Sequence, residues 1–169
     1  MEIFIEIANE EDYEGFYNLK IDKNNVFWSG FKKPPKKKKL NEWFLKQLSR
    51  QDRIIFLVRL NDNPKKPVGY LYLDFLEDDI DSISVSYGVH SDFMGKGIGT
   101  KIIAHAFEYV RANYTTTKLL VGWVSTKNIA SMKVFKKNNF IETNETKKVL
   151  LVDFNEEITM IKYIKNINH

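Results

Sequence analysis

Apolar and polar positions alternate over residues 2–8, with Ile3, Ile5 and Ile7 set against Glu6, and this period of two predicts a strand. Asn9 then stands as a helix cap with Asp12 three positions on, and Tyr13, Phe16 and Tyr17 follow at helical spacing to about Asp22. Residues 24–39 hold Pro34, Pro35 and a lysine run with no period, and read as a loop. Leu40, Trp43, Phe44, Gln47 and Leu48 restore the helical spacing as far as Ser49. β-rich runs at 53–60 and 67–75 flank the turn residues Asn61-Asp62-Asn63-Pro64 and predict an antiparallel hairpin. An acidic turn, Glu77 to Asp81, leads into a strand over 82–90.

That strand runs into Met94-Gly95-Lys96-Gly97-Ile98-Gly99-Thr100-Lys101, after which Ile102, Ile103, Ala106, Phe107 and Val110 mark one face of a helix ending near Asn113. His105 falls off that apolar face. A short apolar strand follows at 118–125, then a helix at 128–137 stopped by Asn138-Asn139, where Asn can take the left-handed conformation. Two strands, about 140–153 and 158–165, close the chain around the turn Asn155-Glu156-Glu157. The order is β-α-α-β-β-β-α-β-α-β-β.

Glycines between a strand and a helix make an anion site, because they let the backbone approach a ligand where the first helical N–H groups lack intrahelical acceptors. A nucleotide-binding Walker loop needs Lys before Ser or Thr, but here Thr100 precedes Lys101. A dinucleotide fingerprint needs Gly at the position of Thr100. What remains is x-x-G-x-G. Gly88, inside the strand that feeds this loop, marks either a bulge or ligand approach, or a site under a large neighbour.

Composition narrows the chemistry. The 169 residues suit one domain, and 43% hydrophobic and 14% aromatic residues exclude wholesale disorder. Cysteine is absent, which removes disulfides, a thiol nucleophile and a Cys-based zinc site and suits a reducing compartment. The acidic, alternating start is unlike a signal peptide, and no apolar run approaches a membrane span, so a cytoplasmic protein without membrane partners is expected. The net charge of +4 fits a polyanionic ligand.

The loop 94–99 and a second segment, Asn128-x-x-Ser131-x-x-x-Phe135-x-Lys137-x-Asn139-Phe140, resemble the two motifs of the GNAT superfamily of acyl-CoA-dependent N-acetyltransferases, and the element order resembles that fold along nearly the whole chain. Ser131, with Ser86-Tyr87 upstream of the loop, looks most like the RimJ/RimL-type branch. The resemblance implies an α/β (α+β) fold with a mixed, mostly antiparallel sheet of six to seven strands, helices on both faces, and two central strands splayed apart. It implies acetyl-CoA as cofactor, CoA as product, direct attack by a primary amine in a ternary complex, and no metal. By the same resemblance, Val89, Met94, Gly95, Lys96, Gly97, Ile98, Gly99, Thr100, Lys101, Asn128, Ser131 and Phe135 hold the cofactor, Met94 standing where the family has Gln or Arg. The pantetheine arm pairs with the backbone near Tyr87 to Val89.

The catalytic candidates are Tyr87, Ser84 and Ser131, because Phe135 stands where many members have a tyrosine acid. A water chain could end on Ser84, Ser86, Glu77 or Asp81, and His90 carries an imidazole suited to proton transfer. Phe27, Trp28 and Phe31, beside the lysine run, are candidates for holding the acceptor, a small molecule or a peptide amine. A non-catalytic CoA-binding module and, less favoured, a basic nucleic-acid-binding domain stand as alternatives, and a monomer or a homodimer is expected.

Overall fold

A computed structural model describes residues 1–168, so His169 lies outside the described residues. The elements are β1 (Ile3–Ile7), α1 (Tyr13–Lys20), α2 (Lys23–Trp28), α3 (Lys37–Leu48), β2 (Arg53–Leu60), β3 (Asn63–Phe75), β4 (Ser82–Val89), α4 (Ile98–Asn113), β5 (Leu119–Ser125), α5 (Ile129–Lys137), β6 (Ile141–Leu151) and β7 (Glu156–Asn166). They form one 7-stranded sheet in the order β1-β2-β3-β4-β5-β7-β6. Every neighbouring pair is antiparallel except β4 and β5, which are parallel. No helix among the described residues is long and apolar enough to cross a membrane.

Alternation along the strands divides the core in two. Ile55, Leu57, Tyr70 and Tyr72 face α1 and α3, where they meet Phe16, Leu19 and Phe44. Phe56, Val58, Leu71, Leu73 and Val85 point the other way, onto Ile98, Ile102, Ile103, Ala106 and Val110 of α4 and Phe135 of α5. Each such buried side chain contributes about 1.5–3 kcal/mol over its exposed state, so a one-residue slip in any strand would exchange both cores for water. The predicted helices on both faces are present.

The segment 24–39 departs from expectation. It is not a continuous loop: α2 forms at 23–28, and α3 begins at Lys37 rather than Leu40. Six residues carry too little period to declare a helix. What makes α2 is tertiary: Asp22 accepts from the N–H groups of Asn24 and Asn25, the Asn25 amide donates to Leu19 O at 2.9 Å, and Val26 is buried. The first turn of α3 is lysine, a good helix former with no apolar mark, and it is tied down by Lys37 to Glu14 at 2.8 Å. β3 likewise starts at Asn63, four residues before the expected Pro67, its exposed first residues pairing through bulges opposite Arg59 and Leu60.

His105 also differs. Its Nε2 is buried, its ring packs against Phe56 and Tyr109, and burial lowers its pKa, so it belongs to the apolar side of α4. Asn9 and Asp12 form the anticipated reciprocal cap, and Asn139 adopts φ 61° after α5.

Candidate functional site

β4 and β5 pair only at Ser82, Ile83 and Ser84 against Leu119, Leu120 and Val121, and then part. His90 N–H donates to Val68 O on β3, so the two-residue period of the β3–β4 ladder turns the N–H groups of Gly88 and Ser86 toward β3 as well. The N–H groups of Val89 and Tyr87 point the opposite way, toward the gap. The splay anticipated for the central strands is therefore real, and it leaves part of a strand edge open.

A cleft of about 290 Å³ fills the gap. Tyr87, Val124, Asn128, Ser131 and Phe135 line it on the α4 and α5 side. Tyr87 Oη lies 3.4 Å from Ser131 Oγ, and burial raises the phenol pKa above its ordinary value, the hydrogen bond to Ser131 offsetting part of the rise. Tyr87 therefore keeps its proton at neutral pH. Asn128 caps α5 by accepting from Ser131 N–H at 3.0 Å, which fixes Ser131 at the cleft. Phe135 is 2% exposed and presses against Gly122, where a Cβ would come within 2.2 Å of its ring. It shapes the wall and has no proton to give.

The glycine loop sits at the start of α4. Gly95 and Gly97 take φ +72° and +79°, Gly97 as the residue that caps the helix, and a Cβ on either would meet nothing within 4 Å. The demand for glycine is conformational, and it leaves open space over the helix N-terminus. A polyanion such as the pyrophosphate of CoA fits that cradle, and an extended arm fits the free edge of β4.

Several candidates fall elsewhere. Ser84 lies in the paired part of β4, opposite Asp74 and Val121, on the face away from Tyr87, and does not line the cleft; Ser86, two residues on, does. The Lys96 ammonium donates to Asp92 O at 3.0 Å and that of Lys101 to Met1 O at 2.6 Å. Asp81 pairs with Lys118 at 2.7 Å and Glu77 is exposed. No register shift accompanies Gly88; a Cβ there would strike the Tyr70 ring at 2.5 Å and Asn25 at 2.7 Å, so the large-neighbour reading is the right one and no bulge exists. Phe27 and Trp28 line the cleft, but Phe31 turns into a separate pocket of about 340 Å³ with Lys20, Lys33, Lys39 and Trp43. α2 is the wall between the two.

Sequence reading missed Asp22, whose only signal was an acidic residue before a short polar run. It is 8% exposed, caps α2, and accepts from both the N–H and the hydroxyl of Ser91 just ahead of the glycine loop, with His90 Nε2 at 3.6 Å. Burial pushes its pKa up, but the bonds from Ser91 and Asn25 and the nearby His90 outweigh it, and the net value lies below the ordinary one. A depressed native pKa gives stability that is present above the unfolded carboxyl value and lost as pH falls through the native one. Asp22→Ala is expected to cost about 1–2 kcal/mol near neutral pH, and to flatten the acid limb of a plot of Tm against pH measured by calorimetry.

The opposite mouth of the cleft was also missed. Trp123 on β5, with Leu151, Phe154, Glu156 and Met160 from the β6–β7 hairpin, faces Phe27 and Trp28. Lys32 N–H donates to Asp153 at 3.0 Å and Phe154 meets Phe27 edge-on at 6.2 Å, so the hairpin clasps α2 over the cleft. Trp123 was visible only as one residue of an apolar strand.

Among curated proteins, an uncharacterized N-acetyltransferase of Methanocaldococcus jannaschii is 30% identical over 119 residues, 66% of this chain and 50% of the relative. The chain thus spans about half the length of the curated relative it matches. Among solved structures, an N-acetyltransferase from Staphylococcus aureus Mu50 superposes with a TM-score of 0.79 at 20% identity, covering 99% of this chain and 100% of its own. A spermidine N-acetyltransferase from Vibrio cholerae, in complex with CoA and spermine, gives 0.80 at 14% identity over 98% and 95% of the two chains. An aminoglycoside acetyltransferase in complex with coenzyme A gives 0.79 at 18% identity over 98% and 95%. At these identities the likeness establishes the fold. The acetyltransferase (GNAT) domain model matches residues 3–141, so with the split sheet, the glycine cradle and the capped α5 all inside that span, this chain belongs to the GNAT acetyltransferase family.

Proposed function

We propose that the protein is an N-acetyltransferase that moves an acetyl group from acetyl-CoA to a primary amine by direct attack within a ternary complex. The observation that carries this reading is the parting of β4 from β5 beside the open cradle of Gly95 and Gly97. The N–H groups from Gly95 to Thr100 would hold the pyrophosphate, with Lys96 and Lys101 turning from their backbone carbonyls to join them. Val89 would pair with the pantetheine arm, and Asn128, Ser131 and Phe135 would wall it in. Acetyl-CoA would supply the activated acetyl thioester.

The chain's own groups then have distinct tasks. The N–H of Tyr87 or Val89, aimed into the gap, is placed to meet negative charge on the acyl oxygen. As the amine nitrogen bonds to the acyl carbon and the C–S bond breaks, the amine loses a proton to water and the departing sulfur needs one. We assign that second proton to the Tyr87 hydroxyl, with Ser131 orienting it. Ser84 is too far round the strand for a direct part and would act only through water.

Ser131 and Ser86-Tyr87 support placement near the RimJ/RimL-type branch, the lack of cysteine suits a cytoplasmic enzyme, and the 169 residues suit a single domain, which we take as monomeric or homodimeric. Phe135, buried and without a hydroxyl, Met94 in place of Gln or Arg, and the lack of a carboxylate at the usual strand position favour a non-catalytic CoA-binding module. Acetyl-CoA consumption measured across monoamines, polyamines, amino sugars and peptide N-termini separates the two. Turnover well above hydrolysis with any amine is expected; tight acetyl-CoA binding with no turnover on the whole panel would leave the module reading standing.

A further inference from the structure

The acceptor mouth is aromatic, and the carboxylate that lines it, Glu156, is already paired with Lys127. Resting on the acetyl-transfer reading, we propose that the acceptor is a monoamine with a flat apolar body, an arylalkylamine in chemical class, and not a polycation.

Phe27, Trp28, Trp123 and Phe154 line the mouth with their rings, and Leu151 and Met160 fill between them. Phe27 and Trp28 are 53% and 41% exposed, far more than large aromatic residues need to be when they serve only a core. Rings presented to a cleft offer stacking area at little conformational cost.

A polycation needs several carboxylates to replace the water around each of its ammonium groups. The β6–β7 hairpin has five, and each is engaged. Glu142 holds Lys136 at 2.9 Å, Glu145 holds Lys162 at 3.0 Å, Glu157 holds Lys148 at 3.2 Å, Glu156 holds Lys127, and Asp153 accepts the Lys32 N–H at 3.0 Å. Among the described residues Glu156 is the single carboxylate that lines the cleft. Exchanging an exposed lysine for a substrate ammonium gains almost nothing, because exposed pairs are weak on both sides of the exchange. Cations crowd the same wall: the ammonium groups of Lys147 and Lys162 lie 4.3 and 6.0 Å from the Trp123 ring centre, and that of Lys32 lies 5.4 Å from Phe154. Lys147, which none of those carboxylates holds, opposes a second positive charge on the acceptor and leaves one amine, which must lose its proton to react.

The test compares kcat/KM for 2-phenylethylamine and tryptamine with those for spermidine and an aminoglycoside, using the intact protein and acetyl-CoA at saturation. The arylalkylamines are expected to lead by about tenfold or more. Trp123→Ala should raise the arylalkylamine KM about tenfold with the acetyl-CoA KM within about twofold, and Trp123→Phe should recover most of the loss. A preference for spermidine or the aminoglycoside overturns the inference while leaving acetyl transfer intact. So does an unchanged amine KM in a folded Trp123→Ala protein. No transfer to any amine, despite acetyl-CoA binding by calorimetry, overturns both.

Discussion

Tyr87→Phe is expected to lower kcat by about 10²-fold while leaving the KM for acetyl-CoA within about threefold. General acid catalysis contributes roughly 10² to 10⁴, and the low end applies here because a thiolate is a fair leaving group even without a proton. The substitution removes one oxygen and keeps the ring, so packing against Phe135, 6.3 Å between ring centres, survives. Tm should therefore shift by no more than about 2–4 °C, the change for roughly 1 kcal/mol in a chain of this size. Because burial raises the Tyr87 pKa, the wild-type acid stays protonated through the neutral and mildly alkaline range, and no loss of its proton should appear there as a falling limb in kcat. Ser131→Ala, which removes only the partner hydroxyl 3.4 Å away, should cost far less, about threefold. Steady-state kinetics with a fixed acceptor read all three, and a Tyr87→Phe enzyme of wild-type kcat would move the acid role to solvent.

Gly97→Val should weaken CoA binding by about tenfold or more and destabilise the protein by about 1–2 kcal/mol. Gly97 holds φ +79° as the cap of α4, a conformation in which a β-branched residue clashes with its own carbonyl. No neighbour lies within 4 Å of the added Cβ, so crowding is not the cause and backbone strain is. Relief of that strain would tilt the N–H groups of Ile98, Gly99 and Thr100 away from a common centre. Gly97→Asn, which tolerates the left-handed region, is the informative companion: it should regain most of both losses. Calorimetric CoA titration together with Tm separates cradle from fold. Equal CoA affinity in wild type and Gly97→Val would detach the loop from cofactor binding.

These predictions draw on features of unequal visibility in the sequence. The glycine loop was plain, since a left-handed backbone at a strand-to-helix junction restricts residue type locally and leaves a mark at Gly95 and Gly97. Asn128 and Ser131 stood out through the second motif, but that Asn128 caps α5 by accepting from Ser131 N–H was shown only by the structure. Tyr87 was legible as a candidate, but its meeting with Ser131 joins residues 44 apart and no local pattern encodes it. Ser84 and Ser86 looked equivalent until the pairing showed one inside the β4–β5 ladder and the other beyond its end.

The sequence by itself determined the strands with a period of two, the long helices with an apolar face, the two motifs and, α2 apart, the order of elements, because each is set by contacts between near neighbours along the chain. Only the tertiary structure decided that Asp22 and Asn25 build a helix at 23–28, that Gly88 yields to Tyr70, that Phe31 leaves Phe27 and Trp28, and that Lys162, held by Glu145, lies beside Trp123. Those outcomes depend on which distant surfaces are pressed together and on which polar groups must find partners once water is gone, and a linear pattern does not record that choice.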